Sequence, residues 1–118
     1  MHLYDSEKKI MDILWSDGSK KAGEIVKIME ESDGWNRNTT YTVIKKCVEK
    51  ELIQRSEPGY VCTPLVSKKT VLQNELSHLL NKFFDDSPVK LFNTLLSIKK
   101  ISKSEGKKMK KAIKEKII

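Results

Sequence analysis

Apolar residues return every three or four positions through SEKKIMDILW, placing Ile10, Met11, Ile13 and Leu14 on one side, the period of a helix that buries a single face. Asp5 or Ser6 stands where a cap would start it, and Asp17-Gly18 where it would stop. AGEIVKIMEE repeats the pattern with Ala22, Ile25, Val26 and Met29, and Ser32-Asp33-Gly34 closes this second, shorter helix. A third is predicted over TTYTVIKKCVEKELI, with Asn36 or Asn38 as its cap and Thr40, Val43, Ile44, Cys47 and Val48 as its inward stripe. Its outward side carries Arg37, Asn38, Tyr41, Thr42, Lys45 and Lys46.

After this helix the period changes. LIQRSEPGYVCTPL predicts two short strands around a Ser56-Glu57-Pro58-Gly59 turn, with Ile53 and Arg55 before it and Tyr60, Val61 and Thr63 after. Pro64 ends the returning strand because it has no N–H for the ladder. From Ser67 the helical period resumes: Leu72, Leu76, Leu79, Leu80, Phe83 and Phe84 share one stripe of a long fourth helix, which Asp85-Asp86-Ser87-Pro88 breaks. Ser87 caps a fifth helix and Pro88 opens it. Val89, Leu91, Phe92, Leu95, Leu96 and Ile98 make that helix apolar almost all round, so it must be buried. Ser102 or Ser104 caps the last helix, with Met109, Ala112, Ile113 and Ile117 on one side and lysines elsewhere.

Three short helices followed by a hairpin is the order of a winged helix-turn-helix, in which the third helix enters the major groove and the wing touches the backbone. The fold class predicted is therefore mainly α with a small β-hairpin: a DNA-binding domain over residues 1–66 and a three-helix dimerisation domain over residues 67–118. The chemistry of the third helix suits the role. Asn38 offers an amide for adenine or phosphate, Thr39 and Thr42 offer hydroxyls and methyls, and Arg37, Lys45 and Lys46 offer charge for phosphates. Arg55 adds a cation on the wing.

Charge changes this picture in one respect. The net charge of +7 suggests an anionic partner, yet residues 1–66 hold ten basic and eleven acidic side chains, while residues 67–118 hold thirteen and five. Bulk charge therefore does not locate the DNA-binding surface, although Gly34 to Arg55, with five basic and two acidic residues, is locally positive. The lysines of the last helix are read as a solubilising face rather than as phosphate contacts.

A chain of 118 residues is too short for a large multilayer enzyme. No nucleophile, base and orienting group can be assembled from its motifs, and it has no Gly-rich phosphate loop. Neither His2 nor His78 has ligands at metal-binding spacing, so neither a metal nor another cofactor is expected. No run of membrane-spanning length and no signal-peptide pattern at MHLYDSEKKI is present, which predicts a cytoplasmic protein without membrane insertion. Cys47 and Cys62 are then expected to be reduced thiols packed in the core, and Trp15 and Trp35 to pack beneath the helices and wing.

DSEKKIMDILW, AGEIVKIMEE, WNRNTTYTVIKKCVEKELI and YVCTPLVS together resemble the penicillinase repressor family, the BlaI and MecI type, to which the CopY copper repressors are related. The most specific parts are Ser6-Glu7 with Leu14-Trp15, Glu24-Ile25, TTYTVIKK with Lys50, and Thr63-Pro64-Leu65, and the similarity covers nearly the whole chain. It implies a homodimer on double-stranded, palindromic operator DNA near an antibiotic-resistance or related operon, repressing by occlusion of the promoter. It places the DNA contacts on Asn38, Thr39, Tyr41, Thr42, Lys45 and Lys46, with Thr40 at a buried apolar position of the family.

The resemblance also implies a membrane receptor-protease system that ends repression by cleavage in the dimerisation half. The Asn-Phe pair used there is missing; the neighbouring residues read Phe92-Asn93-Thr94, which speaks against that mode of induction. The cysteine-rich metal hook of the copper repressors is absent too. Where the family prefers Gly after the recognition helix this chain has Glu51, which costs about 1 kcal/mol if the position is left-handed.

The dimerisation residues predicted are Leu72, Leu76, Leu79, Leu80, Phe83, Phe84, Phe92, Leu95, Leu96 and Ile113, since about fifty residues of helix seldom supply a self-sufficient core. Two other readings use the same residues. An adaptor would dock Leu72, Leu76, Phe83 and Phe92 on a different protein, and a thiol-based redox sensor would use Cys47 and Cys62.

Overall fold

Helix α1 (Asp5–Asp17) begins one residue earlier than an Asp5 cap allows: its cap is Tyr4, whose N–H donates to Glu7 Oε1 at 2.9 Å. The capping interaction thus comes from the third residue of the helix reaching back, and neither Asp5 nor Ser6 is the cap. The structure is a computed structural model in which residues 3–117 are described; His2 lies outside them. It forms two compact units, Met1–Glu75 and Leu76–Ile118.

In the first unit, α1 leads through a two-residue strand β1 (Lys20–Lys21) into α2 (Ala22–Asp33), and α3 (Arg37–Glu49) follows. Gly34 adopts a left-handed conformation, φ 67°, that ends α2, and Asn36 Oδ1 then accepts the Thr39 N–H at 2.8 Å to start α3. Of the two asparagines, Asn36 is the cap, which leaves Asn38 exposed on the helix. Strands β2 (Ile53–Ser56) and β3 (Val61–Pro64) pair antiparallel with Gln54 opposite Thr63. β1 pairs with the other edge of β3, Lys20 opposite Cys62, so the sheet has three strands in the order β1-β3-β2. Hydropathy alternation does not reveal β1, because two lysines have no alternation.

The core of this unit joins all three helices to the wing: Ile10, Met11 and Leu14 of α1, Ala22, Ile25 and Met29 of α2, Val43, Ile44 and Cys47 of α3, and Leu52, Ile53 and Cys62. Trp15 and Trp35 are half-buried against it, and the Trp15 Nε1–H donates to the Val66 carbonyl at 2.9 Å, which ties the exit of the wing to α1. Glu7, 1% exposed, accepts from Lys50 Nζ at 2.7 Å and so bolts the start of α1 to the end of α3. Beyond Lys50, Glu51 is left-handed, φ 61°. That one residue turns the chain so that Leu52 and Ile53 both enter the core and β2 begins.

Helix α4 (Lys68–Phe84) gives its first turns to this unit and its last turns to the second. There, left-handed Asp85 and Asp86 make the break, Ser87 Oγ accepts the Lys90 N–H, and α5 (Pro88–Ile98) starts at Pro88. Ser102, not Ser104, caps α6 (Lys103–Lys116). Apolar α5 was expected to be buried, and within the single chain it is not: Ile98 is 76% exposed, and no described residue from Leu76 onward is buried. Leu80, Phe84, Leu91, Phe92, Ile101 and Met109 are half-buried, while Leu76, Leu79, Phe83, Leu95, Leu96 and Ile113 are exposed, as is Leu72 on the first unit's part of α4. Three short helices provide too little interior to enclose so many apolar side chains.

Candidate nucleic-acid interface

The stripe that faces inward on α3 decides what faces out. Thr40, Val43, Ile44 and Cys47 are buried, which turns Arg37, Asn38, Thr39, Thr42, Lys45 and Lys46 to solvent and leaves Tyr41 half-buried at the edge. Thr40 keeps its hydroxyl partnered inside by the Asn36 carbonyl, 3.4 Å away. The Thr42 hydroxyl donates to the Asn38 carbonyl at 2.8 Å. Its proton is therefore committed to the helix, and what Thr42 presents outward is a methyl and an oxygen that can only accept.

Arg55 is separated from Tyr41 by 14 positions in sequence, yet the fold draws them into one continuous contact. The Arg37 guanidinium lies 5.2 Å from the Tyr41 ring centre and donates to Tyr41 Oη at 3.4 Å. Tyr41 meets Tyr60 edge to face with 5.7 Å between ring centres, and Arg55 stacks on the other ring of this pair, 3.7 Å above Tyr60. The result is a ladder of cation, ring, ring and cation that links α3 to the wing. At its wing end Arg55 Nε and Nη2 both donate to Glu57 Oε1, at 2.9 and 2.8 Å, and the Tyr60 N–H donates to Glu57 Oε2 at 3.1 Å. Glu57 raises the Arg55 pKa, and Arg55, with the Tyr60 N–H, lowers that of Glu57. Glu57 thus occupies, with a carboxylate, the geometry in which a guanidinium receives a phosphate.

Two hollows border the ladder. One, of about 440 Å³, is lined by Tyr41, Lys45, Val48, Glu49, Arg55 and Tyr60; the other, of about 510 Å³, lies among Lys21, Gly23, Glu24, Val26, Lys27, Glu30, Arg37, Tyr41 and Gly59. Among the sequence-predicted residues, Arg37, Tyr41, Lys45 and Arg55 are gathered around these hollows, while Asn38, Thr39, Thr42 and Lys46 stand on the exposed face of α3. Lys21, Lys27, Glu57 and Tyr60 join the same face and were not among the predicted residues. An arginine and a tyrosine flanking the hairpin turn are the sequence signal for Tyr60; Lys21 depends on β1, which no pattern announces.

Cys47 and Cys62 are free and buried, and burial pushes their thiols up to about 12 and about 11. Among the described residues no three His, Cys, Asp or Glu side chains are grouped to hold a metal ion, and no helix is long and apolar enough to cross a membrane.

Comparison with known proteins agrees with this geometry. The solution structure of the DNA binding domain of the repressor BlaI superposes with a TM-score of 0.54 at 22% identity, covering 57% of this chain and 84% of that one, and so shares the winged-helix fold. The penicillinase repressor of Bacillus licheniformis is 22% identical over 83 residues, which are 69% of this chain and 65% of that protein, so the chain matches just under two thirds of its relative's length. The family model described as penicillinase repressor, a family of repressors and not of enzymes, matches residues 3–115. The chain belongs to the penicillinase repressor family.

Proposed function

We propose that this chain is a cytoplasmic, sequence-specific repressor of the β-lactam-resistance regulator type, binding a palindromic operator as a homodimer. The observation that supports it best is the ladder from Arg37 through Tyr41 and Tyr60 to Arg55, which aligns the exposed face of α3 with the wing as a single surface. In this reading residues 1–66 read DNA and residues 67–118 dimerise. Arg37, Lys45 and Lys46 neutralise phosphates, as does Arg55 where a phosphate displaces Glu57, and Asn38, Thr39, Tyr41 and Thr42 meet base edges. Thr42, with its proton spent on Asn38, favours a thymine methyl or a base amino group over a base carbonyl.

The exposed leucines and phenylalanines of α4 and α5 support self-association, and a two-fold dimer presents two α3 helices to half-sites about one DNA turn apart. A membrane receptor-protease is the inducing partner that the family implies; Phe92-Asn93-Thr94, in place of the Asn-Phe pair, argues for a different release step. The redox-sensor reading is opposed by the burial of both thiols, which holds them protonated and unreactive.

Fluorescence anisotropy against the promoter upstream of the chain's own gene, with random duplex as competitor, tests the proposal. Binding that survives the competitor is expected, with Lys46→Ala weakening all sequences alike and Thr42→Ala changing the preference among them. Binding no tighter than to random duplex would leave a winged helix without this function and favour the adaptor.

A further inference from the structure

We infer that α6 is a second DNA-binding surface, one that grips phosphates without regard to sequence; this rests on the reading of the chain as a DNA-binding protein. The first unit has twelve basic and twelve acidic side chains and is neutral, whereas residues 76–118 hold eleven and four, the whole surplus of the molecule. Counterion release makes phosphate neutralisation the main source of sequence-independent affinity, and beyond the few cations of α3 and the wing the first unit has no surplus charge to add to it.

The surplus is also arranged. Lys103, Lys107, Lys110, Lys111 and Lys114 recur at helical spacing, are all exposed, and form one ridge about 17 Å long at 1.5 Å per residue. Gly106, Met109 and Ile113 lie on a separate stripe. Like charges three and four apart oppose the helix that carries them, and a helix charged only for solubility would intersperse glutamates. Glu115 lies 4.0 Å from Lys111 with both side chains largely in solvent, which neutralises little. A row of phosphates relieves the repulsion along the ridge. Duplex DNA fits better than an anionic membrane, because α6 has no Trp, Phe, Tyr or Leu with which to enter a bilayer surface.

The test compares the full-length protein with a variant carrying Lys→Gln at those five positions and a second carrying Lys→Arg. Each is titrated against a random-sequence duplex and the promoter duplex over a range of salt, with helicity by circular dichroism and self-association by sedimentation as controls. The Gln variant is expected to keep its helix and assembly, to lose about a hundredfold of random-duplex affinity at low salt, and to flatten log K against log salt by about two to four. The Arg variant is expected to match the parent. An unchanged slope in the Gln variant, while the parent binds the promoter tightly, overturns the second surface and leaves the repressor reading intact. A parent that binds no duplex overturns both. Loss of binding to phosphatidylserine vesicles with no change on DNA would assign the ridge to a membrane and overturn it as well.

Discussion

The two units are built from the same kind of helix, and they differ in what those helices enclose. In the first, α1, α2 and α3 turn Ile10, Leu14, Ile25 and Ile44 inward against a wing that closes the open side. In the second, α5 is more apolar than any of these helices, yet nothing among the described residues is buried. The difference teaches that apolar content does not make a core; geometry that lets side chains meet does. A unit with a core is stable as one chain, and under the proposed dimer a unit without one draws its stability from association.

Core substitutions separate the two most strongly. Leu14, 1% exposed, is expected to cost about 3 kcal/mol as Leu14→Ala, seen as a lower urea midpoint at every protein concentration. Leu95, 41% exposed, leaves the single chain nearly unaffected as Leu95→Ala and instead weakens self-association, read by sedimentation equilibrium. A Leu14→Ala loss that grows on dilution would erase the distinction.

Next in size is the ion pair that closes the first unit. Lys50→Ala leaves the buried Glu7 carboxylate without its cation and is expected to cost about 2–3 kcal/mol, followed by tryptophan fluorescence, since Trp15 and Trp35 both lie in this unit. Adding Glu7→Gln should recover part of the loss, because the stranded charge is gone.

Alkaline pH sharpens the comparison further, as both thiols lie in the first unit. Burial raises Cys47 to about 12 and Cys62 to about 11, so the folded state holds these protons more tightly than the unfolded one. Their contribution is complete below the ordinary thiol pKa and is lost as pH rises through the folded values, by up to about 1.4 kcal/mol per pH unit for each thiol. Urea unfolding of the first unit is expected to be insensitive to the thiols near pH 7 and to weaken above pH 9, with Cys47→Ala reducing the slope. The smallest effect is a gain: Glu51→Gly relieves the left-handed position, φ 61°, and is expected to raise stability by about 0.5–1 kcal/mol, whereas β-branched Glu51→Val lowers it.

The periodic helices of the first unit are legible from their apolar spacing alone, and with them the exposed face of α3, because burial of Thr40 and Ile44 dictates what remains outside. The two-residue β1 is not, since it is defined by its partner Cys62 and not by its own residues. The cap at Tyr4 is missed for a related reason: the acceptor is Glu7, three residues on, so the capping residue needs no polar side chain of its own. In the site, α3 supplies a list of outward residues, but which of them cooperate depends on the register of the hairpin, which sets Tyr60 against Tyr41. Glu51 shows the opposite case: its left-handed conformation is foretold by the Gly that the resembled family prefers there and not by Glu itself, while the helical pattern read through Glu51 to Ile53 runs past the observed end of α3 at Glu49.

That ladder of rings and guanidinium groups has a mechanical consequence. It makes α3 and the wing one jaw whose gape is fixed within the fold, so under the proposed function the molecule gauges groove width as well as reading letters. On that reading, stretches of DNA that cannot bend or narrow to fit pay in deformation energy at base pairs no side chain touches, and selection reaches beyond the contacts themselves.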